Sequence, residues 1–141
     1  MIHIVGIASL ISGLLAQFLK VVLGHRHTRR FRIERLLDTG GMPSSHTALV
    51  TTLTIGVAYY AGISSAMFSI TLIFSMYIVF EAAGLRQEVG KQARVLNELI
   101  DDFHETHHLN TARLKELVGH TWGEVSVGFL VGLMVALIAY R

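Results

Sequence analysis

The sequence predicts an all-α integral membrane protein: one domain over residues 1–141, with about four transmembrane helices and one cytoplasmic amphipathic helix. Hydrophobic residues make up 52% of the 141 residues, and the mean hydropathy of +0.53 exceeds that of an ordinary soluble domain. The apolar residues gather in blocks that approach the ~20 residues needed to cross the hydrocarbon core of a bilayer. Most charged residues lie between the blocks, so each block is expected to be a helix surrounded by lipid.

Ile2 to Leu23 forms the first apolar block and is expected to be the first span. His3, Gln17, Lys20 and two serines interrupt it, and at ~1.5 Å per residue it is long enough for a ~30 Å core. The block lacks a basic leader and an Ala-x-Ala type cleavage site. We therefore expect a retained span rather than a removable signal peptide.

Three further apolar blocks follow, at Thr47 to Ala61, Ala66 to Ala83 and Val125 to Tyr140. The turn-prone segment Gly62 to Ser65 lies between the first two of them and predicts a tight helical hairpin. The blocks that begin at Thr47 and Val125 are short for a span. Neighbouring helices or a locally thin bilayer must therefore accommodate them.

A polar stretch, Leu85 to Glu124, separates the last two blocks. Its apolar residues recur at helical spacing, which predicts an amphipathic helix packed against the bundle. These residues are Val89, Ala93, Leu96, Leu99, Ile100 and Phe103.

The basic residues concentrate in the first loop, Gly24 to His46, whereas the turn from Gly62 to Ser65 has no charge. This asymmetry predicts that both polar loops are cytoplasmic. A loop beside the membrane explains the formal charge of +2 better than nucleic-acid binding does, so the membrane is an expected partner and nucleic acid is not. The absence of cysteine excludes disulfides and thiolate metal sites.

The segment Gly40-Gly41-Met42-Pro43-Ser44-Ser45-His46 stands immediately before an apolar block. Its glycines allow backbone N–H groups to approach an anion, and the N-terminus of a following helix adds partial positive charge. The segment is therefore a candidate phosphate site. The alternative is that Ser44 or Ser45 only caps the second helix.

A second cluster, Leu114 to Val125, also stands immediately before an apolar block. His120 and Glu124 are four residues apart, and on a helix they would share a face. The carboxylate could then accept the imidazole N–H, fix the tautomer and leave the other nitrogen as a nucleophile. The alternative is an ordinary contact on the surface of a helix.

Charged residues lie near the same edge of the predicted bundle. Lys20 is near the cytoplasmic end of the first span and Glu81 near that of the third, with Arg86 just beyond it. Lys20 could also extend to the interface, and Glu81 with Arg86 could form a structural ion pair. Because they share one edge with the two clusters, these side chains could assemble an anion site.

Several ordered motifs resemble the divergent bacterial and plant branch of the type-2 phosphatidic acid phosphatase and vanadium haloperoxidase-related superfamily. Pro43-Ser44-Ser45-His46 and His120-x-x-x-Glu124 are similar to its second and third motifs, with Ser45 in place of Gly and Glu124 in place of Asp. The other resembling segments are Gln17-x-x-Lys20, Gly84-x-Arg86, Gly90-x-Gln92-Ala93-x-x-Leu96-Asn97 and Leu114-Lys115-Glu116-x-x-Gly119-His120-Thr121. The resemblance covers nearly the whole chain and implies one membrane-embedded phosphatase-like domain in a bacterial plasma membrane.

The resemblance also implies a metal-independent lipid phosphatase without a cofactor, whose substrate is a phosphomonoester or diphosphate of a phospholipid or isoprenoid. His120 would be the nucleophile and form a phosphohistidine, Glu124 would stabilise the imidazolium, and His46 would protonate the departing oxygen. The implied phosphate-binding residues are Lys20, Ser44, Ser45 and Arg86, with Arg26 and Arg113 as alternatives to Arg86.

Two other functions stay open. His104-Glu105-Thr106-His107-His108 satisfies the His-Glu-x-x-His pattern of zinc hydrolases, although a solvated helix end explains it as well. The protein could also be a structural or transport-associated membrane protein that keeps the fold without turnover. Gly128-x-x-x-Gly132 permits close helix contact, which leaves a homo-oligomer open.

Overall fold

The computed structural model describes residues 3–28, 41–107, 114 and 119–141, with only the backbone described at 24–28, 85–87 and 102–107. This part of the chain is helical and contains no strand, as the sequence predicts. The five helices are α1 (Ile4–Thr28), α2 (Ser45–Ala61), α3 (Ala66–Ala83), α4 (Leu85–His107) and α5 (Trp122–Ala139).

Capping residues set several of the helix boundaries. Ser44 and Ser65 are the N-caps of α2 and α3, and Thr121 is the N-cap of α5. The bounds predicted for α3 are confirmed, whereas α5 begins at Trp122, ahead of the predicted Val125, because its cap lies outside the apolar block. α1 continues past the predicted end of the first span and reaches Thr28.

Three segments of the described chain are long and apolar enough to cross a membrane: Ile4–Leu23, Ala66–Asp101 and Trp122–Ala139. The second of them covers α3 and most of α4. α2 has 17 residues and is shorter than these segments. The structure therefore supports a helical membrane protein with three candidate spans.

Helix α2 is central, because it contacts α1, α3 and α5. α1 and α3 end, and α2 and α5 begin, at one end of the bundle, which we call the loop end. There the Ser44 N–H donates to the Glu124 carbonyl at 3.1 Å, and the His120 N–H donates to the Ala82 carbonyl at 2.9 Å. Tyr140 marks the opposite end, where it packs with Val5.

Small and polar side chains fill the interior, while large apolar ones cover the outside. Ser12 and Thr52 are fully buried, whereas Leu14 is 70% and Ile138 72% exposed. Ser12 donates from α1 to the Ala48 carbonyl of α2 at 3.1 Å, and Thr52 donates to the Gly132 carbonyl of α5 at 2.9 Å. This distribution is typical of helices packed in lipid, where interfaces use small residues and hydrogen bonds rather than burial of apolar surface.

Two glycines bring α5 into backbone contact with α2. A Cβ placed on Gly128 would lie 2.5 Å from the Ser44 carbonyl oxygen, and one on Gly132 would lie 2.5 Å from the Ala48 carbonyl oxygen. The Gly128-x-x-x-Gly132 spacing therefore serves a contact within the chain. Its use here removes the motif as an argument for a homo-oligomer.

We expect Gly132→Ala to destabilise the fold by about 1–3 kcal/mol, because the added methyl must push α5 away from α2. Gly123→Ala, on the same helix, is the matched control, since its Cβ would meet only Thr121 Oγ1 at 3.8 Å. Thermal unfolding of both variants in one detergent measures the difference. Equal stability of the two variants would contradict the close contact between α2 and α5.

Candidate active site

The first part of the site is the loop before α2 with the end of α1. Gly41 has a φ of +94°, and a Cβ placed on it would lie 3.6 Å from Lys20 Cδ. The aliphatic part of Lys20 thus runs along the loop, and the residue is only 5% exposed. A buried ammonium is costly in lipid unless it has a function or a partner, so the burial of Lys20 argues against simple extension to the interface.

The three polar residues that follow Pro43 occupy different environments. Ser44 is fully buried and caps α2: its Oγ accepts from the Thr47 N–H at 3.4 Å and from the Thr47 hydroxyl at 3.0 Å. Ser44 is therefore the N-cap of α2, and its predicted binding of phosphate stays a prediction. Ser45 is half-buried in the first turn, and His46 is exposed.

The second part of the site is the His120–Glu124 pair. His120 is fully buried, and its Nδ1 lies 3.1 Å from Glu124 Oε2. The Glu124 side chain is 20% exposed, so the pair lies at the boundary between the interior and the surroundings. The predicted contact between these two residues is present.

The reason for this contact differs from the expected one. His120 precedes α5 rather than lying on it, so the two residues do not share a helical face. Instead, Thr121 and Glu124 form a capping box, in which the Thr121 N–H donates to Glu124 Oε2 at 3.1 Å and the Glu124 N–H donates to Thr121 Oγ1 at 3.3 Å. The same carboxylate oxygen that caps the helix therefore also holds the imidazole.

The two parts meet at the loop end. The ring centroids of His46 and His120 are 6.3 Å apart, with an angle of 61° between the ring planes. The Ser44 N–H bond to the Glu124 carbonyl joins the two segments directly. Two imidazoles, one carboxylate and a buried lysine are thus brought to one end of the bundle, an arrangement that could transfer protons and neutralise an anion.

The four remaining charged candidates do not extend the site in the described part of the chain. The side chains of Arg86, Arg26 and Arg113 lie outside the described residues, so the choice among the three arginines stays a prediction. Glu81 is half-buried near the end of α3.

The zinc alternative depends on residues whose side chains the structure does not describe. His108 and the side chains of the preceding four residues lie outside the described part of the chain. Among the described residues, no group of three histidine, aspartate or glutamate side chains could hold a metal ion.

Two residues that stand in the motifs quoted above, Thr121 and Asn97, have structural roles that the sequence analysis did not assign. Thr121 starts the capping box, and the pattern Thr-x-x-Glu before an apolar run was the signal that could have revealed it. Asn97 is 3% exposed; its amide donates to the Leu114 carbonyl and its carbonyl accepts from the Leu114 N–H, both at 2.9 Å. Such a long-range pair has no signal in local sequence.

The profile of the Divergent PAP2 family matches residues 3–135, a range that includes every predicted site residue. The chain belongs to the Divergent PAP2 family. Its predicted membership of the divergent branch is thereby confirmed.

One curated protein is similar to this chain over nearly its whole length. The uncharacterized membrane protein YuiD of Bacillus subtilis strain 168 is 37% identical over 145 residues, which covers 94% of this chain and 90% of YuiD. That relative is described as a membrane protein, in agreement with the apolar helices of this Divergent PAP2 protein. No solved structure matches the chain significantly.

Glu124→Gln and Glu124→Ala should separate the structural role of Glu124 from its charge. Gln can keep an oxygen at the Oε2 position for both donors, whereas Ala loses the reciprocal cap and the contact with His120. We expect Ala to lower the free energy of unfolding by about 1 kcal/mol more than Gln does. Thermal unfolding in one detergent measures this; equal loss in both variants would show that charge, rather than hydrogen bonding, holds the loop.

Proposed function

We propose that the protein is a membrane lipid phosphatase that hydrolyses a phosphomonoester or diphosphate of a phospholipid or isoprenoid through a phosphohistidine on His120. The observation that carries this proposal is the 3.1 Å contact of His120 Nδ1 with Glu124 Oε2, beside the ring of His46. Membership of the Divergent PAP2 family supports it. The likeness to the wider haloperoxidase-related superfamily is part of the same proposal.

The contact with Glu124 determines which nitrogen of His120 can attack. An ionised carboxylate only accepts hydrogen bonds, so Nδ1 carries the proton in the neutral ring and Nε2 has the lone pair. When Nε2 attacks phosphorus, the ring becomes positively charged and the neighbouring carboxylate stabilises that charge. Glu124 therefore acts in the transition state as well as in the cap.

In the proposed mechanism His46 acts on the leaving group. A bond forms between Nε2 of His120 and phosphorus while the bond from phosphorus to the lipid oxygen breaks, and His46 donates a proton to that oxygen. The neutral His46 then accepts a proton from water, and the hydroxyl oxygen attacks the phosphohistidine and releases phosphate. The centroid separation of 6.3 Å leaves the two imidazoles near enough to act on one phosphoryl group.

Lys20, Ser44, Ser45, Arg86 and the amides of the glycine loop would bind the phosphoryl oxygens. The buried position of Lys20 against Gly41 supports this role, because a positive charge in a medium of low polarity stabilises developing negative charge strongly. The Ser44 hydroxyl already accepts two hydrogen bonds, so its own proton is the group that would bind an anion once the residues that bury Ser44 move.

The burial of His120 adds a condition to this mechanism. A ring with no exposed surface cannot touch a phosphoryl group until the groups that cover it move. Turnover therefore includes a conformational step. The same observation favours the second candidate, a structural or transport-associated protein of this fold without turnover.

His120→Ala should abolish phosphate release and the phosphoenzyme, because the attacking nitrogen is lost. His46→Ala should slow the hydrolysis of a lipid phosphate by about 10²–10⁴-fold. The hydrolysis of an activated aryl phosphate should slow much less, since a departing aryl oxide needs little protonation. Phosphate release from purified protein in detergent, with acid-labile phosphohistidine detected by radiolabelling, measures both effects.

A chelator and a matched variant complete this test. Ser126→Ala, an exposed position on α5 whose hydroxyl only bonds to the Trp122 carbonyl, should keep wild-type turnover. Loss of activity on chelation would favour the zinc alternative. Full activity of His120→Ala would refute the covalent mechanism, and no turnover by the wild-type protein over a panel of lipid phosphates would favour the non-enzymatic candidate.

We extend the proposal to four spans, with α2 as the fourth and with α4 as an amphipathic helix in the cytoplasm. The 17 residues of α2 rise by about 25 Å, close to a thin hydrocarbon core, and neighbouring helices surround α2. Both chain ends then face outside, while the loop end faces the cytoplasm of a bacterial plasma membrane.

Cysteine labelling tests this topology, since the chain has no cysteine of its own. A cysteine at Ser64, in the turn between α2 and α3, should react with an impermeant thiol reagent on intact cells. A cysteine at Arg30, in the basic loop, should react only after permeabilisation. The opposite pattern would invert the orientation, and labelling of both positions from one side would exclude α2 as a span.

A further inference from the structure

An apolar groove runs along the face of the bundle where α2, α3 and α5 meet. Its volume is about 300 Å³, and its lining includes Thr54 and Ile55 of α2, Leu72 and Ser75 of α3, and Trp122 of α5. Resting on the phosphatase function proposed above, we infer that this groove holds one hydrocarbon tail of the lipid phosphate while the headgroup occupies the site. The tail can be an alkyl or a prenyl chain, since both present the same apolar surface.

The groove begins next to the segment that carries His120. Trp122 is the first residue of α5, two positions after His120, and its ring packs edge to face on Phe80 with centroids 6.2 Å apart. Both residues line the groove. Tryptophan prefers the membrane interface, so this pair marks the level at which a headgroup would meet its tail.

The depth of the groove matches one leaflet. Ile55 lies ten residues into α2 from Ser45, and Leu72 lies eleven residues from the end of α3 at Ala83. At ~1.5 Å per residue both lie about 15–17 Å from the loop end, which is close to half of a ~30 Å hydrocarbon core. A lipid whose phosphate sits at the site would have its tail along this depth.

The hydroxyls of Thr54 and Ser75, which line the groove, are hydrogen-bonded within the protein. Thr54 donates to the Val50 carbonyl at 2.8 Å, and its oxygen lies 2.7 Å from the Ser75 hydroxyl, which must then donate to it. The hydroxyls therefore need no water or headgroup inside the groove. Leu72, Met76 and Phe80 are partly exposed along it, so a tail can enter sideways from the bilayer.

Because the tail leaves lipid rather than water, the gain comes from packing and from orientation of the headgroup, not from removal of apolar surface from water. We therefore expect kcat/KM to depend only modestly on the contacts between the tail and the groove. Leu72→Trp would fill the inner end of the groove. Ile73→Trp is the matched control, since Ile73 is the next residue along α3, is 69% exposed and is not part of the lining.

The experiment compares butyl, hexadecyl and farnesyl phosphates as substrates of the purified protein in mixed micelles. Leu72→Trp should lower kcat/KM for the hexadecyl and farnesyl compounds by about fivefold, equivalent to about 1 kcal/mol of lost packing. Butyl phosphate is too short to reach Leu72 and should change much less, and Ile73→Trp should behave as the wild type with all three. Equal effects of both variants, or the same loss with butyl phosphate, would overturn the inference.

Cross-linking keeps the test independent of turnover. Hexadecyl phosphate with a photoreactive group in mid-chain should label the α3 peptide at Leu72 and Met76, and excess hexadecyl phosphate, but not hexadecanol, should compete. Labelling that hexadecanol removes equally would assign the groove to bulk lipid, and a cross-link between two copies would assign it to a partner; either result overturns the inference. Phosphate release without dependence on the tail refutes the groove alone, whereas saturable labelling without release refutes only the phosphatase.

Discussion

The backbone contact between α2 and α5 is the constraint on which the site depends. Gly128 and Gly132 have no side chain where the Ser44 and Ala48 carbonyls approach, so the two helices start side by side at the loop end. That proximity lets the Ser44 N–H reach the Glu124 carbonyl and places the first turn of α2, with His46, beside His120. Any residue larger than glycine at these positions would separate the two segments that carry the predicted motifs.

The surrounding lipid explains why the interior looks polar for so apolar a chain. In water, burial of large apolar side chains drives packing, but in a bilayer those side chains are equally well accommodated outside. Helices then gain from close approach and from hydrogen bonds, which Ser12 and Thr52 supply between helices. Backbone and hydroxyl groups without water must be satisfied internally, and this requirement fixes helix register more strictly than apolar contacts do.

Much of the architecture could be predicted from local pattern. The apolar blocks located four helices, and the turn from Gly62 to Ser65 located the boundary between α2 and α3, because these signals act over a few residues. The predicted end of α1 and start of α5 were less accurate, since α1 continues to Thr28 and α5 begins at Trp122. The contact of His120 with Glu124 was predicted from helical spacing, yet it arises from the capping box of Thr121, which produces the same approach by another geometry.

The features that could not be predicted are contacts between residues that lie far apart in the sequence. The pairing of Asn97 with Leu114, the backbone contact at Gly132 and the 6.3 Å approach of His46 to His120 are tertiary facts. No periodicity encodes them. The choice of phosphate-binding arginine also depends on such tertiary placement, which is why the sequence left three candidates.

The Asn97 pairing also links the site mechanically to a peripheral helix. In the described part of the chain α4 packs on the bundle through α3. The Asn97 side chain of α4 forms hydrogen bonds with both the N–H and the carbonyl of Leu114. Leu114 lies six residues ahead of His120, the proposed nucleophile; Leu114 is bound to α4, and the His120 N–H is bound to the Ala82 carbonyl. Because both backbone groups of Leu114 are bound to Asn97, a displacement of α4 would also displace Leu114, six residues before the fully buried His120.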